Sequence, residues 1–362
     1  MRVLITTDSV GGVWQYSLSL ARGLVEAYRC RVLLVCFGEP DQQDLADAIP
    51  LPGVDVVPLN LKLEWMPDGE ADLAEARAQV ARLAREWRAD LLHSSQYSLG
   101  NIDLPIPRMV VAHSDMLGWI AWHRGDGTID LDEVEDDPAL RKYRDMVASG
   151  LAAADSVVCP SRFMSKFLDE FYGCPSETIY NGLWPDMYHA MPKQAVAVVA
   201  GRLWDEAKMA ATAVEATRGL PIKLLLIGEH EGPSGQRASL PQSENAEYLG
   251  RLPWREAREV IAGAAYYLAT SSYEPFGLSA LEAAYTGCAL MTNDGPSFRE
   301  IWKDAAVHYH RNDPADLRAR LSRLLERPDE TARLGKAARS RALERYTGQK
   351  MAAQYYRLYT EM

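Results

Sequence analysis

Short apolar runs rich in Val, Leu and Ile at residues 2–6, 31–37, 54–58 and 90–94 predict buried strands. Between them apolar residues recur every three or four positions. Residues 13–28 place Leu18, Leu20, Ala21 and Leu24 on one helical face, and 71–87 read as a second helix. The run 108–112 ends at His113, and Asp115 stands where a helix N-cap belongs, ahead of 116–122. A strand at 155–159, a helix at 161–172 and a strand at 177–181 lead to the turn signal Asn181-Gly182 and a linker-like stretch over 184–193. The alternation then resumes, with strands at 195–200, 223–227, 265–270 and 288–292 and helices at 315–325, 329–346 and 349–359, the last with Thr347 as its N-cap. Strands alternating with helices predict an α/β protein with parallel, doubly wound sheets, whose ligands gather at the carboxyl ends of the strands.

A chain of 362 residues exceeds what one core usually organises, so two Rossmann-like domains are expected, 1–190 and 191–346. The net charge of −11 is unevenly spread. Residues 1–190 hold 16 Lys plus Arg against 29 Asp plus Glu, roughly −13, and the remainder is near +2. So acidic a half has no electrostatic reason to bind nucleic acid or anionic lipid. The five cysteines are scattered without a CxxC pair and read as reduced core residues. Met1–Ile5 runs straight into a strand and no apolar run nears the roughly 18 residues of a membrane span, which predicts a cytoplasmic protein.

The densest chemistry lies in Tyr273-Glu274-Pro275-Phe276-Gly277-Leu278, which follows an apolar strand and opens a helix ending before Gly287. A helix N-terminus leaves amides without partners, so those of Phe276, Gly277 and Leu278 read as a phosphate seat. Glu274 and Glu282, seven residues apart in between, flank that seat. A carboxylate repels a diphosphate and accepts from hydroxyls, so the pair suits a ligand with phosphates in its middle and hydroxylated rings at both ends, a nucleotide sugar. Without a ligand, Glu274 merely favours the helix dipole and Glu282 faces solvent.

A second cluster is Gly201-Arg202-Leu203-Trp204-Asp205-Glu206-Ala207-Lys208, with Arg202 at a strand end and Lys208 about one turn into the next helix. Two cations converging on a crevice neutralise a leaving diphosphate; alternatively they pair with Asp205 and Glu206 at the surface. Gly11 and Gly12 also join a strand to a helix, at a crevice or at a simple turn. Trp119 and Trp122 share a helix face, which serves core packing or an acceptor pocket equally well. The acidic stretch 125–137 reads as a solvated loop.

The E-x7-E spacing around Glu-Pro-Phe-Gly-Leu resembles the signature of retaining GT-B glycosyltransferases of the family 4 type. That resemblance implies that Glu274 holds hydroxyls of the transferred sugar, Glu282 the ribose, and the 276–278 amides the phosphates. It also implies that Arg202 and Lys208 stabilise the leaving group and that His113 contacts the sugar near its reacting carbon. By the same resemblance Gly11, Gly12 and Gly201 border the donor, and backbone near Arg251 and Leu252 holds the base. The helix at about 347–362 then crosses back onto the first domain through Tyr355, Tyr356 and Tyr359. Two departures stand out: Lys208-Met209 replaces the usual Lys-Gly, and Gly295-Pro296 replaces a common Gly-Gly.

The implied reaction moves a sugar from a UDP- or GDP-sugar to a small-molecule or glycan hydroxyl with retention. No Asp-x-Asp pair follows a strand in a place to hold a metal, and no cofactor is expected. Same-face attack is expected, because Glu274 belongs at the hydroxyls and away from the anomeric face. A nucleotide-sugar epimerase and a sugar phosphorylase share the architecture and are the alternatives.

Overall fold

The computed structural model describes residues 1–9, 11–38, 51–66, 69–232 and 235–362; Val10 of the glycine loop and residues 233–234 of the polar segment after His230 lie outside them. The chain divides into two compact units, Met1–Gly182 with Gly348–Met362, and Leu183–Thr347. The divide thus falls earlier than residue 190: Tyr188 packs on Tyr285 and Trp254 of the second unit.

In the first unit β1 (Arg2–Asp8), β2 (Arg31–Phe37), β3 (Val54–Leu59), β4 (Leu91–Ser94), β5 (Arg108–Val111), β6 (Ser156–Cys159) and β7 (Glu177–Thr178) form one sheet in the order β3-β2-β1-β4-β5-β6-β7. Every pairing is parallel. Val3, Leu4 and Ile5 are fully buried, as a strand covered on both faces requires. The chain's last helix, Gly348–Glu361, packs on the helix Gly12–Tyr28: Tyr355 and Tyr359 are buried and Tyr356 stacks on Tyr28 at 4.0 Å. The stretch 125–137 is not wholly a loop. Leu131–Asp136 is a short helix because the Asp130 carboxylate caps the amides of Asp132 and Glu133.

Close backbone approach fixes one helix of this unit. A Cβ on Gly150, in the helix Pro138–Ala153, would stand 1.9 Å from the Tyr97 carbonyl oxygen. Gly150→Ala is therefore expected to cost about 1–3 kcal/mol, read as a lower urea midpoint at an unchanged m-value.

In the second unit β8 (Gln194–Ala200), β9 (Lys223–Ile227), β10 (Ala246–Gly250), β11 (Ala264–Ala269), β12 (Ala289–Asn293) and β13 (Ala306–Tyr309) pair in the order β10-β9-β8-β11-β12-β13, again all parallel. Its core joins the strand residues Ala197, Leu224, Leu268 and Met291 to Leu317, Leu321 and Leu324 of the helix Pro314–Leu325. Among the described residues here, β10, β13 and the helices Trp254–Gly263 and Pro296–Trp302 escape the apolar pattern. The last opens on Pro296 at its first position, where proline's missing N–H costs nothing.

Candidate active site

β8 pairs with β9 on one side and β11 on the other, so the loops leaving β8 and β11 diverge and open a crevice at the strand ends. Gly201, Leu203 and Lys208 line it from the first loop, and Thr270, Ser271, Glu274, Gly277, Ser279 and Ala280 from the second.

Local capping decides where Lys208 points. The Asp205 carboxylate accepts from the Ala207 amide and makes Glu206–Lys208 a single 3-10 turn; Met209, at φ 49°, interrupts the chain before the helix Ala210–Thr217. Lys208 thus precedes the helix and is not one turn inside it. Thr270 Oγ1 donates to the Lys208 carbonyl at 2.7 Å and the Ser272 amide to that of Ala207 at 2.8 Å, tying the loop to the end of β11. Lys208 Nζ then meets Glu274 Oε2 at 2.6 Å, with only 17% and 16% of the two side chains exposed. Ser271 Oγ donates to the same oxygen at 3.2 Å, and Ser297 Oγ donates to the Glu274 carbonyl.

The helix Leu278–Thr286 starts two residues later than the phosphate seat was placed. Gly277 is its N-cap, at φ 89°, and the first intrahelical bond runs from the Leu281 amide to the Gly277 carbonyl. The amides opening the helix are therefore those of Leu278, Ser279 and Ala280, while the Phe276 side chain is buried edge-on to Tyr346 at 5.6 Å. A Cβ on Gly277 would lie 3.3 Å from Glu274 Cγ.

Arg202 is absent from the crevice lining and pairs with Asp205 at 3.0 Å, beside the Trp204 ring at 5.5 Å. Of the two surface pairings considered, Arg202 with Asp205 is present and Lys208 has Glu274 in place of Glu206. Arg251 follows β10, is exposed and pairs with Glu229 at 3.1 Å; Leu252 beside it is half-buried.

Glu282 does not simply face solvent. Tyr188 Oη and Trp254 Nε1 donate to its Oε1 at 3.1 and 3.0 Å. Burial pushes its carboxyl above the usual range, against the pull of these two donors and Arg258. A carboxyl so raised stabilises the fold in its protonated form, and that stability is lost as pH rises through its folded value. Glu282→Gln keeps an acceptor for both donors without the charge. It is expected to raise Tm by a few degrees at pH 7, a gain that thermal unfolding should show shrinking in acid.

The first unit holds a separate group. Gly11, at φ 102°, caps the helix that begins with Gly12, and both are exposed after β1. His113 follows β5. Its ring meets the Tyr16 ring edge-on at 4.3 Å, its Nε2 is buried without a hydrogen-bond partner, and burial lowers its pKa to about 3, so the imidazole is neutral. His93, on β4, is likewise lowered to about 3, and lies between Tyr16 Oη at 3.1 Å and Tyr359 Oη at 2.6 Å. Asp115 accepts from the Gly118 amide at 2.9 Å and caps the helix Met116–Arg124. On that helix Trp119 stacks on His123 at 5.0 Å and Trp122 meets Phe163 edge-on at 5.5 Å, both half-buried.

Tyr188, Trp254 and His93 enter these groups through contacts that the local sequence does not announce. Trp254 directly follows Pro253, a helix-start signal that was there to be used. Tyr188 sits in the apparent linker, and His93 ends a strand pattern in which a histidine carries no local signal.

Two family profiles cover most of the chain: Glycosyltransferase Family 4 matches residues 10–186 and Glycosyl transferases group 1 matches residues 188–341. The chain belongs to the GT-B glycosyltransferases of the family 4 type. Among curated relatives, the chain is 30% identical over 119 residues to alpha-maltose-1-phosphate synthase of Mycolicibacterium smegmatis, covering 31% of each chain. It is 31% identical over 146 residues to the MMP alpha-(1->4)-mannosyltransferase of Mycolicibacterium hassiacum, covering 39% of this chain and 36% of that one. The matched region thus spans about a third of these relatives. Sucrose-phosphate synthase from Thermosynechococcus elongatus superposes with a TM-score of 0.80 at 17% identity, over 100% of this chain and 98% of the other. HepE from Anabaena, solved in complex with UDP and glucose, gives 0.74 at 17% identity, over 100% of both. At such identities these two structures establish the shared fold.

Proposed function

We propose that this chain transfers a hexosyl group from a UDP- or GDP-sugar to an acceptor hydroxyl, retaining the anomeric configuration and using no metal ion. The observation that carries this reading is the crevice at the ends of β8 and β11, where an ammonium, a carboxylate and a helix N-terminus meet. As the bond from the anomeric carbon to the phosphate oxygen breaks, negative charge gathers on the diphosphate. Lys208 and the amides opening the helix at Leu278 are preorganised to stabilise it, joined by Arg202 once it leaves Asp205. Glu274 takes sugar hydroxyls and Glu282 the ribose. The acceptor oxygen bonds to the anomeric carbon on the face the phosphate leaves, and its proton passes to the departing phosphate oxygen. Gly11, Gly12, His113, Gly201, Arg251 and Leu252 keep the roles the resemblance implies, and Trp119 and Trp122 border the acceptor pocket, where their faces stack on a ring.

UDP-glucose is the first donor to test, since HepE is solved with UDP and glucose. A panel of nucleotide sugars, each with and without candidate acceptors, is expected to release nucleotide efficiently only with an acceptor and to give a product of unchanged anomeric configuration by NMR. Release without acceptor and with an altered sugar is the epimerase outcome; transfer to inorganic phosphate alone is the phosphorylase outcome. EDTA is expected to leave the rate unchanged. Loss that a divalent ion restores would contradict the metal-free reading.

A further inference from the structure

Both side-chain donors that reach Glu282 fall on one oxygen. Tyr188, just after the 3-10 turn Pro185–Met187, and Trp254, the first residue of the helix Trp254–Gly263, each donate to Oε1. Neither donor is free to move away. The Tyr188 ring stacks on Tyr285 at 5.2 Å and meets Trp254 edge-on at 6.3 Å. The Arg258 guanidinium lies 3.5 Å from the centre of the Trp254 ring and donates to the Met187 carbonyl at 2.5 Å. Tyr285 Oη is fixed in turn by the Leu183 and Tyr346 carbonyls, at 3.1 and 2.9 Å.

A glutamate has three side-chain torsions, and holding one oxygen with two donors from separate elements selects one orientation of the carboxylate. Oε1 has its two lone-pair directions occupied, so Oε2 remains as the acceptor. An ionised oxygen in a partly desolvated place accepts from a hydroxyl strongly, and a ligand lacking that hydroxyl leaves it unpaired.

We propose that Tyr188 and Trp254 are positioning residues that turn Oε2 of Glu282 toward a ribose hydroxyl of the donor, and thereby set its preference for ribonucleotides over deoxyribonucleotides. This rests on the ribose role proposed above for Glu282. Removing either donor lets the carboxylate rotate and weakens the selection for that hydroxyl more than it weakens binding of the phosphates.

The test is calorimetric binding of UDP, 2′-deoxy-UDP and 3′-deoxy-UDP to the full chain, or the guanosine series if GDP binds more tightly. The wild type is expected to bind the ribonucleotide about tenfold or more tightly than at least one deoxy analogue. In Tyr188→Phe and in Trp254→Phe that ratio should fall severalfold while circular dichroism stays native, and in Glu282→Ala it should approach one. A purely structural role would lower all three affinities together and keep the ratio, which would overturn the inference. If both aromatic variants keep the wild-type ratio while Glu282→Ala loses it, the positioning role is wrong and the ribose role stands. If Glu282→Ala also keeps it, or the wild type does not discriminate, the ribose role falls and the inference with it.

Discussion

Lys208→Ala is expected to lower kcat by about 10²–10³-fold. Lys208 is the cation on the lining of the crevice at the ends of β8 and β11, and its ammonium is 2.6 Å from Glu274. In the unliganded protein the two neutralise each other. Under the proposed function a bound diphosphate is expected to compete for the ammonium and to release Glu274 to sugar hydroxyls. Removing the lysine alone strands a mostly buried carboxylate, which costs the fold about 1–3 kcal/mol as well. Lys208→Met combined with Glu274→Gln removes both charges and is expected to recover much of that stability and none of the activity. Urea unfolding and initial rates on the two single variants and the double variant separate the effects. A Lys208→Ala rate within about threefold of wild type, in a folded protein, would remove this residue from the leaving-group role.

Stability is expected to fall by about 2–3 kcal/mol between pH 7 and pH 5, more steeply than the carboxylates alone would allow. His93 and His113 both have folded pKa values lowered to about 3. The unfolded chain binds protons at both sites below about 6.5, where the folded protein does not. Their contribution is thus fully present above the unfolded value and is lost as pH falls from there toward 3; at pH 5 each has given up about 2 kcal/mol. Asp115 acts in the opposite sense. Burial raises its carboxyl to about 6, so acidification to pH 5 returns about 1 kcal/mol. The two histidines outweigh it, and Glu64 and Glu282, whose carboxyls burial also raises, blunt the fall in the same sense as Asp115. Urea midpoints across pH 5–7.5 should show the fall, and His93→Gln should remove most of it. A flat profile would mean that one or both imidazoles accept a proton in the native protein. Because His113 stays neutral over this range, it is also expected to add no limb to the pH–rate profile there.

The apolar pattern made most strands legible, because parallel strands covered on both faces are nearly continuous Val, Leu and Ile. β10 and β13 escaped it: β10 is half-exposed at a sheet edge, and the four-residue β13 includes His308, bonded to Thr292. The position of Lys208 was obscured because residues 205–217 look like one helix in composition. The Asp205 cap and Met209 at φ 49° split them. The start of the helix at Leu278 is hidden because Gly277, in the left-handed region, is its cap and interrupts the run from Phe276. The surroundings of Glu282 were invisible for a different reason. Its donors lie 94 and 28 residues away along the chain, and no local periodicity reports a contact made by folding.

Co-crystallisation with a nucleoside diphosphate tests the central claim most directly. The diphosphate is expected within hydrogen-bonding distance of Lys208 Nζ and of the amides that open the helix at Leu278, with Lys208 drawn off Glu274 and the ribose against Glu282. A ligand ordered elsewhere, with the Lys208–Glu274 pair undisturbed, would contradict the account.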